Sequence, residues 1–147
     1  MGILLVDAAQ TEILGSTISE NGGGLSGRDS SQVALENSMI VGNRSYGLLL
    51  EGAAEVQIRD SLISDNENGI LLADSVQALI EGNRIIKNEV YGAALYIRSC
   101  GFEGRGEAFL GEVRGGGNRI PEPGEPDGNG KGAVCPEELG FLRSGGP

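Results

Sequence analysis

Short apolar runs recur along this chain at a fixed period. Lines begun at Gly2, Gly24, Gly47, Gly69 and Gly92 are separated by 22, 23, 22 and 23 residues (24−2, 47−24, 69−47 and 92−69). One residue after each opening glycine stand Ile3, Leu25, Leu48, Ile70 and Ala93, and two further on Leu5, Gly27, Leu50, Leu72 and Leu95. A period of two places these residues on the inward side of a strand. A second strand repeats as Thr11, Val33, Val56 and Ala78, followed by Ile13, Leu35, Ile58 and Ile80; a third repeats as Ile18, Ile40, Ile63 and Ile85.

Three short strands per period, with like residues in the same column, predict an all-β, single-stranded parallel β-helix of about five coils of 22–23 residues. Adjacent coils then bond as parallel strands about 4.8 Å apart. A right hand is expected from the crossover rule and from the coil length, since left-handed forms run on shorter hexapeptide periods. Leucine-rich repeats have similar length, but their fixed L-x-x-L-x-L pattern is missing.

Polar columns agree with this register. Asn21, Asn43, Asn66 and Asn88 fall just before each new coil, where stacked amides bond along the ladder and Asn tolerates a left-handed turn. Gln10, Gln32, Glu55 and Gln77 form a surface column. Leu14, Glu36, Arg59 and Glu81 form another, which sets Arg59 between two carboxylates at under about 1 kcal/mol.

The fifth coil opens at Gly92–Ile97, runs into a Gly-rich excursion over 100–106, and resumes with Phe109, Leu110 and Val113. Gly117-Asn118-Arg119-Ile120 echoes Gly82-Asn83-Arg84-Ile85. Residues 121–132 are rich in Pro, Gly and acid and read as a loop. Cys135-Pro136-Glu137-Glu138 reads as a helix start, with Leu139, Phe141 and Leu142 available to cover the last coil. The expected division is therefore a β-helix over 1–120 and an irregular tail with a C-terminal cap over 121–147. The first coil has no such cover, so the chain is read as the C-terminal part of a longer protein.

Composition narrows the chemistry. The 147 residues include 26 Gly, three Phe, three Tyr and no Trp, which suits narrow repeated layers better than a bulky globular core. A net charge of −10 argues against nucleic-acid binding. The absence of His removes the commonest general base and zinc ligand. Cys100 and Cys135 allow one disulfide in an oxidising compartment or two free buried thiols. No run is long enough for a signal peptide or membrane span.

The columns G-(I/L)-x-L, V-x-(I/L) and x-I-x-x-N-x-x-x-G resemble the parallel β-helix repeat of bacterial proteins, found in pectate-lyase-like enzymes, NosD-type periplasmic proteins, and carbohydrate-binding and sugar-hydrolase modules. The resemblance spans residues 2–120. It implies an exported, extracellular or cell-surface setting and an association with polysaccharide. Lyase-like members would use an Asp calcium cage with an Arg base, and polygalacturonase-like members clustered Asp with a His. Neither arrangement occurs here, so no catalytic residue is transferred.

Candidate sites follow from the columns. Gly22–Gly27 matches G-x-G-x-x-G, but strand rather than helix follows it, so the glycines read as coil-opening residues. Asp7, Asp29 and Asp74 share a column and are weak candidates for calcium; turn chemistry is the better reading, because calcium takes six to eight oxygens. The sequon Asn43-Arg44-Ser45 reads as a chance match. Outward positions of the first strand hold Leu4, Ser26, Leu49, Leu71 and Ala94, with Tyr96 nearby, an apolar stripe that must be covered by the tail after Ile120 or by a second copy in a homo-oligomer. The expected function is a non-catalytic structural or interaction module with no required cofactor. The alternatives are the C-terminal fragment of a polysaccharide lyase or glycoside hydrolase, and a small carbohydrate-binding domain with Tyr46, Tyr91 and Tyr96 as stacking platforms.

Overall fold

The structure is a computed structural model and describes residues 2–143. Four complete coils of three strands wind along one axis. The first contains β1 (Ile3–Leu5), β2 (Gln10–Leu14) and β3 (Thr17–Ser19), and the second β4 (Gly23–Gly27), β5 (Gln32–Glu36) and β6 (Met39–Val41). The third has β7 (Tyr46–Leu50), β8 (Glu55–Arg59) and β9 (Leu62–Ser64), and the fourth β10 (Asn68–Leu72), β11 (Gln77–Glu81) and β12 (Arg84–Ile86). The remaining strands are β13 (Tyr91–Leu95), β14 (Glu112–Gly116) and β15 (Gly132–Cys135). They form three parallel sheets: β1-β4-β7-β10-β13-β15, β2-β5-β8-β11-β14 and β3-β6-β9-β12.

The register follows the sequence columns. Ile3 pairs with Leu25, Leu25 with Leu48, Leu48 with Ile70, and Ile70 with Ala93. Ile40, Ile58, Ile63, Ile80 and Ile85 are fully buried. The opening glycines have a steric cause: a methyl on Gly24, Gly47 or Gly69 would meet the carbonyl oxygen of the glycine stacked on the next coil.

Each coil turns three corners, and each corner has one residue at positive φ. Asp7, Asp29, Gly52 and Asp74 occupy the first corner; Gly15, Asn37, Asp60, Gly82 and Gly117 the second; Glu20, Gly42, Asp65 and Lys87 the third. The ladder asparagines therefore do not take the left-handed conformation expected of them. The residue before each one takes it, and this leaves the Asn side chain free to point inward and bond along the axis.

Two differences concern the C-terminal third. Four complete coils form rather than about five, because the third side of the next coil is reduced to an isolated bridge between Arg84 and Arg119; 96–111 also leaves the solenoid between β13 and β14. The chain also returns to the solenoid after Ile120: β15 pairs with β13, and Asn129 stacks on Asn88 with an N–H···O distance of 3.0 Å. The stretch 121–147 thus contributes a strand and a ladder rung in addition to its cap; its last four residues, 144–147, lie outside the described residues. The cap is a 3₁₀ helix, Glu137–Arg143, which buries Leu139 and Leu142 against the last coil.

Candidate functional site

Most polar side chains inside this solenoid are committed to stacking. Asn66 shows the pattern. Its Oδ1 accepts from the backbone N–H of Asn43 at 2.9 Å and from Asn43 Nδ2 at 3.0 Å, while its Nδ2 donates to the carbonyl of Ile40 and to Asn88 Oδ1, each at 3.1 Å. A second ladder, absent from the sequence reading, runs through Ser16, Ser38, Ser61, Asn83 and Asn118. Its signal was a column of small hydroxyl residues that changes to Asn only in the fourth coil.

The Asp column serves a related purpose at the surface. Asp29 Oδ2 accepts from the N–H of Asp7, and Asp74 Oδ2 from the N–H of Gly52, both at 2.9 Å. These carboxylates point along the axis at the preceding coil and do not converge on a point. Among the described residues no group of three or more His, Cys, Asp or Glu side chains could hold a metal ion. Arg59 stands between Glu36 at 3.6 Å and Glu81 at 3.2 Å, as its column predicts.

The apolar stripe is covered at Leu71 and Ala94 and open at Leu4, and a segment other than the two expected crosses it. Leu71 and Ala94 are buried, Leu49 is half-buried, and Leu4 is 47% exposed. The excursion 96–111 crosses this face. Phe102 packs against Tyr91 at 6.2 Å and edge-on to Tyr96 at 4.7 Å between ring centroids. The Arg105 guanidinium lies 4.5 Å over the Tyr96 ring and reaches Glu51 and Asp74 at 3.4 and 3.8 Å. Cys100 and Cys135 form a disulfide that ties the excursion to β15. Leu71, Ala94 and Tyr96 are therefore not a free interaction surface: the excursion crosses their face within one chain, tied to the tail strand whose Cys135 pairs beside Ala94.

The same packing changes the reading of the tyrosines. Tyr91 and Tyr96 hold Phe102, and Arg105 occupies a face of Tyr96, so these rings do not form an open sugar platform. Tyr46 lies over Gly23 and hydrogen-bonds Ser26. Burial raises its phenol above the ordinary value of 10.0, with the Ser26 bond acting in the opposite sense and Glu51 adding to the rise.

An open concave surface lies elsewhere. The outer face of the second sheet forms a shallow groove of about 470 Å³, lined by Gln10, Glu12, Gln32, Glu55, Gln57 and Gln77, with Arg114 at one end. Gln32 Nε2 donates to Glu55 Oε2 at 3.1 Å, and Arg114 pairs with Glu112 at 3.4 Å. The Gln/Glu column was legible as a surface row. The parallel row Glu12, Ala34, Gln57, Leu79 and Arg114 was missed, although it follows from alternation in the same strands.

No curated protein and no solved structure matches this chain. The family model of the right-handed β-helix region matches residues 1–108, in agreement with the stacked coils. The chain belongs to the right-handed β-helix family.

Proposed function

We propose that this chain is a non-catalytic β-helix module of an exported or cell-surface protein, and that the outer face of its second sheet contacts an extended, hydroxyl-rich polymer such as a polysaccharide. The groove on that face carries the reading. Its rows repeat once per coil, about 4.8 Å apart, so a polymer along the axis meets a similar set of groups at each step. Amides both donate and accept and carboxylates accept, which suits hydroxyls better than anions. Glu12, Glu55 and Glu112 further disfavour an acidic ligand. The Cys100–Cys135 disulfide supports an oxidising setting.

Affinity electrophoresis through gels containing neutral and acidic polysaccharides tests the reading. At least one neutral polymer should retard the chain. The double variant Gln32→Ala/Gln77→Ala should run unretarded, while Leu49→Ala should bind as the parent does. If no polymer retards the parent, the proposed contact face is wrong.

A further inference from the structure

We propose that the groove of the second sheet takes a neutral, β-1,4-linked glycan lying along the solenoid axis as a two-fold ribbon, one sugar per coil, an inference that rests on the contact face proposed above. The rows of this sheet are straight, because β2, β5, β8, β11 and β14 pair residue for residue without offset. The row Glu12, Ala34, Gln57, Leu79 and Arg114 is the middle one of three that face outward. The row through Gln32 and Gln77 flanks it on one side, and the ion ladder of Glu36, Arg59 and Glu81 on the other. This middle row alternates. Glu12, Gln57 and Arg114 are exposed and polar, whereas Ala34 and Leu79 between them are apolar and half-buried. Apolar and polar positions therefore each recur every second coil, about 10 Å apart.

A repeat of two coils discriminates among polymers. An extended β-1,4-linked pyranose chain advances by nearly one coil spacing per sugar and turns over at each link, so every second sugar sets the same face down. Sugar ring faces carry C–H groups, and their edges carry hydroxyls. Ala34 and Leu79 then lie under every second sugar as small apolar platforms, and Glu12, Gln57 and Arg114 reach the hydroxyls of the sugars between them. A chain of five sugars spans the five strands of the sheet. An α-1,4-linked chain coils and an α-1,6-linked chain has a longer, freer link, so neither keeps register with the row. Glu12, Glu55 and Glu112 oppose an acidic ribbon of the same shape.

Affinity electrophoresis and nuclear magnetic resonance titration of the whole chain test this assignment. Gels containing hydroxyethylcellulose or glucomannan should retard the chain, and gels containing amylose or dextran should not. Affinity for cello-oligosaccharides should rise with length up to five sugars and then level off. Gln57→Leu should weaken cellopentaose binding by about fivefold, the worth of one hydrogen bond, with an unchanged circular dichroism spectrum. Ala34→Tyr enlarges a platform in phase with Leu79 and should tighten binding, whereas Gln57→Tyr is out of phase and should not. Equal retardation by amylose or dextran, or tighter binding by Gln57→Tyr than by Ala34→Tyr, would overturn the two-fold ribbon and leave the contact face in place. A parent that no neutral polymer retards would remove both.

Discussion

Replacing Asn66 with Ala should be among the most damaging single changes in this chain. Asn66 is 2% exposed and makes four side-chain hydrogen bonds between coils. Truncation leaves the Asn43 N–H and one Asn43 Nδ2 hydrogen unpaired in the interior; the Ile40 carbonyl keeps its ladder bond within the sheet, and Asn88 Oδ1 keeps the backbone N–H of Asn66. Two orphaned groups at about 1–3 kcal/mol each give a loss of roughly 2–6 kcal/mol. Domains of this size are stable by about 5–15 kcal/mol, so a large share of the total goes. At about 2–4 °C per kcal/mol for chains near this length, Tm should fall by roughly 4–24 °C. Gln32→Ala is the control: it removes an amide of the same chemistry from an exposed row, and should cost less than about 0.5 kcal/mol. Urea unfolding followed by circular dichroism measures both. A loss below about 1 kcal/mol in Asn66→Ala, or equal losses in the two variants, would refute the claim that the inner ladder holds the coils together.

Gly47→Ala should destabilise the chain by about 1–3 kcal/mol, because the new methyl meets the Gly69 carbonyl oxygen at 2.7 Å and Ile63 Cγ2 at 3.2 Å; thermal unfolding reads it. Ser31→Ala should stabilise by about 1 kcal/mol in urea unfolding, since Ser31 is fully buried, its hydroxyl has no hydrogen-bond partner among the described residues, and the same corner of the third coil holds Ala54. Tyr46 should ionise above pH 10.0, seen as late phenolate absorbance that Tyr46→Phe removes. Its pKa is raised on folding, so the unfolded chain loses this proton first. Stability from this group is thus intact below pH 10.0 and declines as pH rises from there towards the folded value.

The fold was legible because a solenoid repeats its instructions. Ile18, Ile40, Ile63 and Ile85 identify an inner column four times over, and the pairings of Ile18 with Ile40 and of Ile63 with Ile85 follow directly. The Ser/Asn ladder was harder to see, because its early rungs are serines that read equally well as surface turn residues. The excursion over the apolar stripe was not legible. Its contacts join Phe102 and Arg105 to Tyr91, Tyr96 and Glu51 without any periodicity, and coverage of a face depends on where a non-repeating segment folds. The same holds for the return of 129–135 to the solenoid, where a Pro- and Gly-rich loop precedes a strand that continues the register. The groove was legible only in part: one row stood out by its glutamines, whereas the mixed row beside it carries no repeated residue type.

Under the proposed function the polar groups of this chain hold coils together or contact a ligand and do no chemistry. The most direct test is product analysis after long incubation of the purified chain with pectin, polygalacturonate and alginate, with and without calcium. New reducing ends report hydrolysis and ultraviolet absorbance reports elimination. Neither is expected under any condition. Turnover that rises with protein concentration and disappears in Asp29→Ala or Asp74→Ala would contradict it, and would make the Asp column a catalytic site.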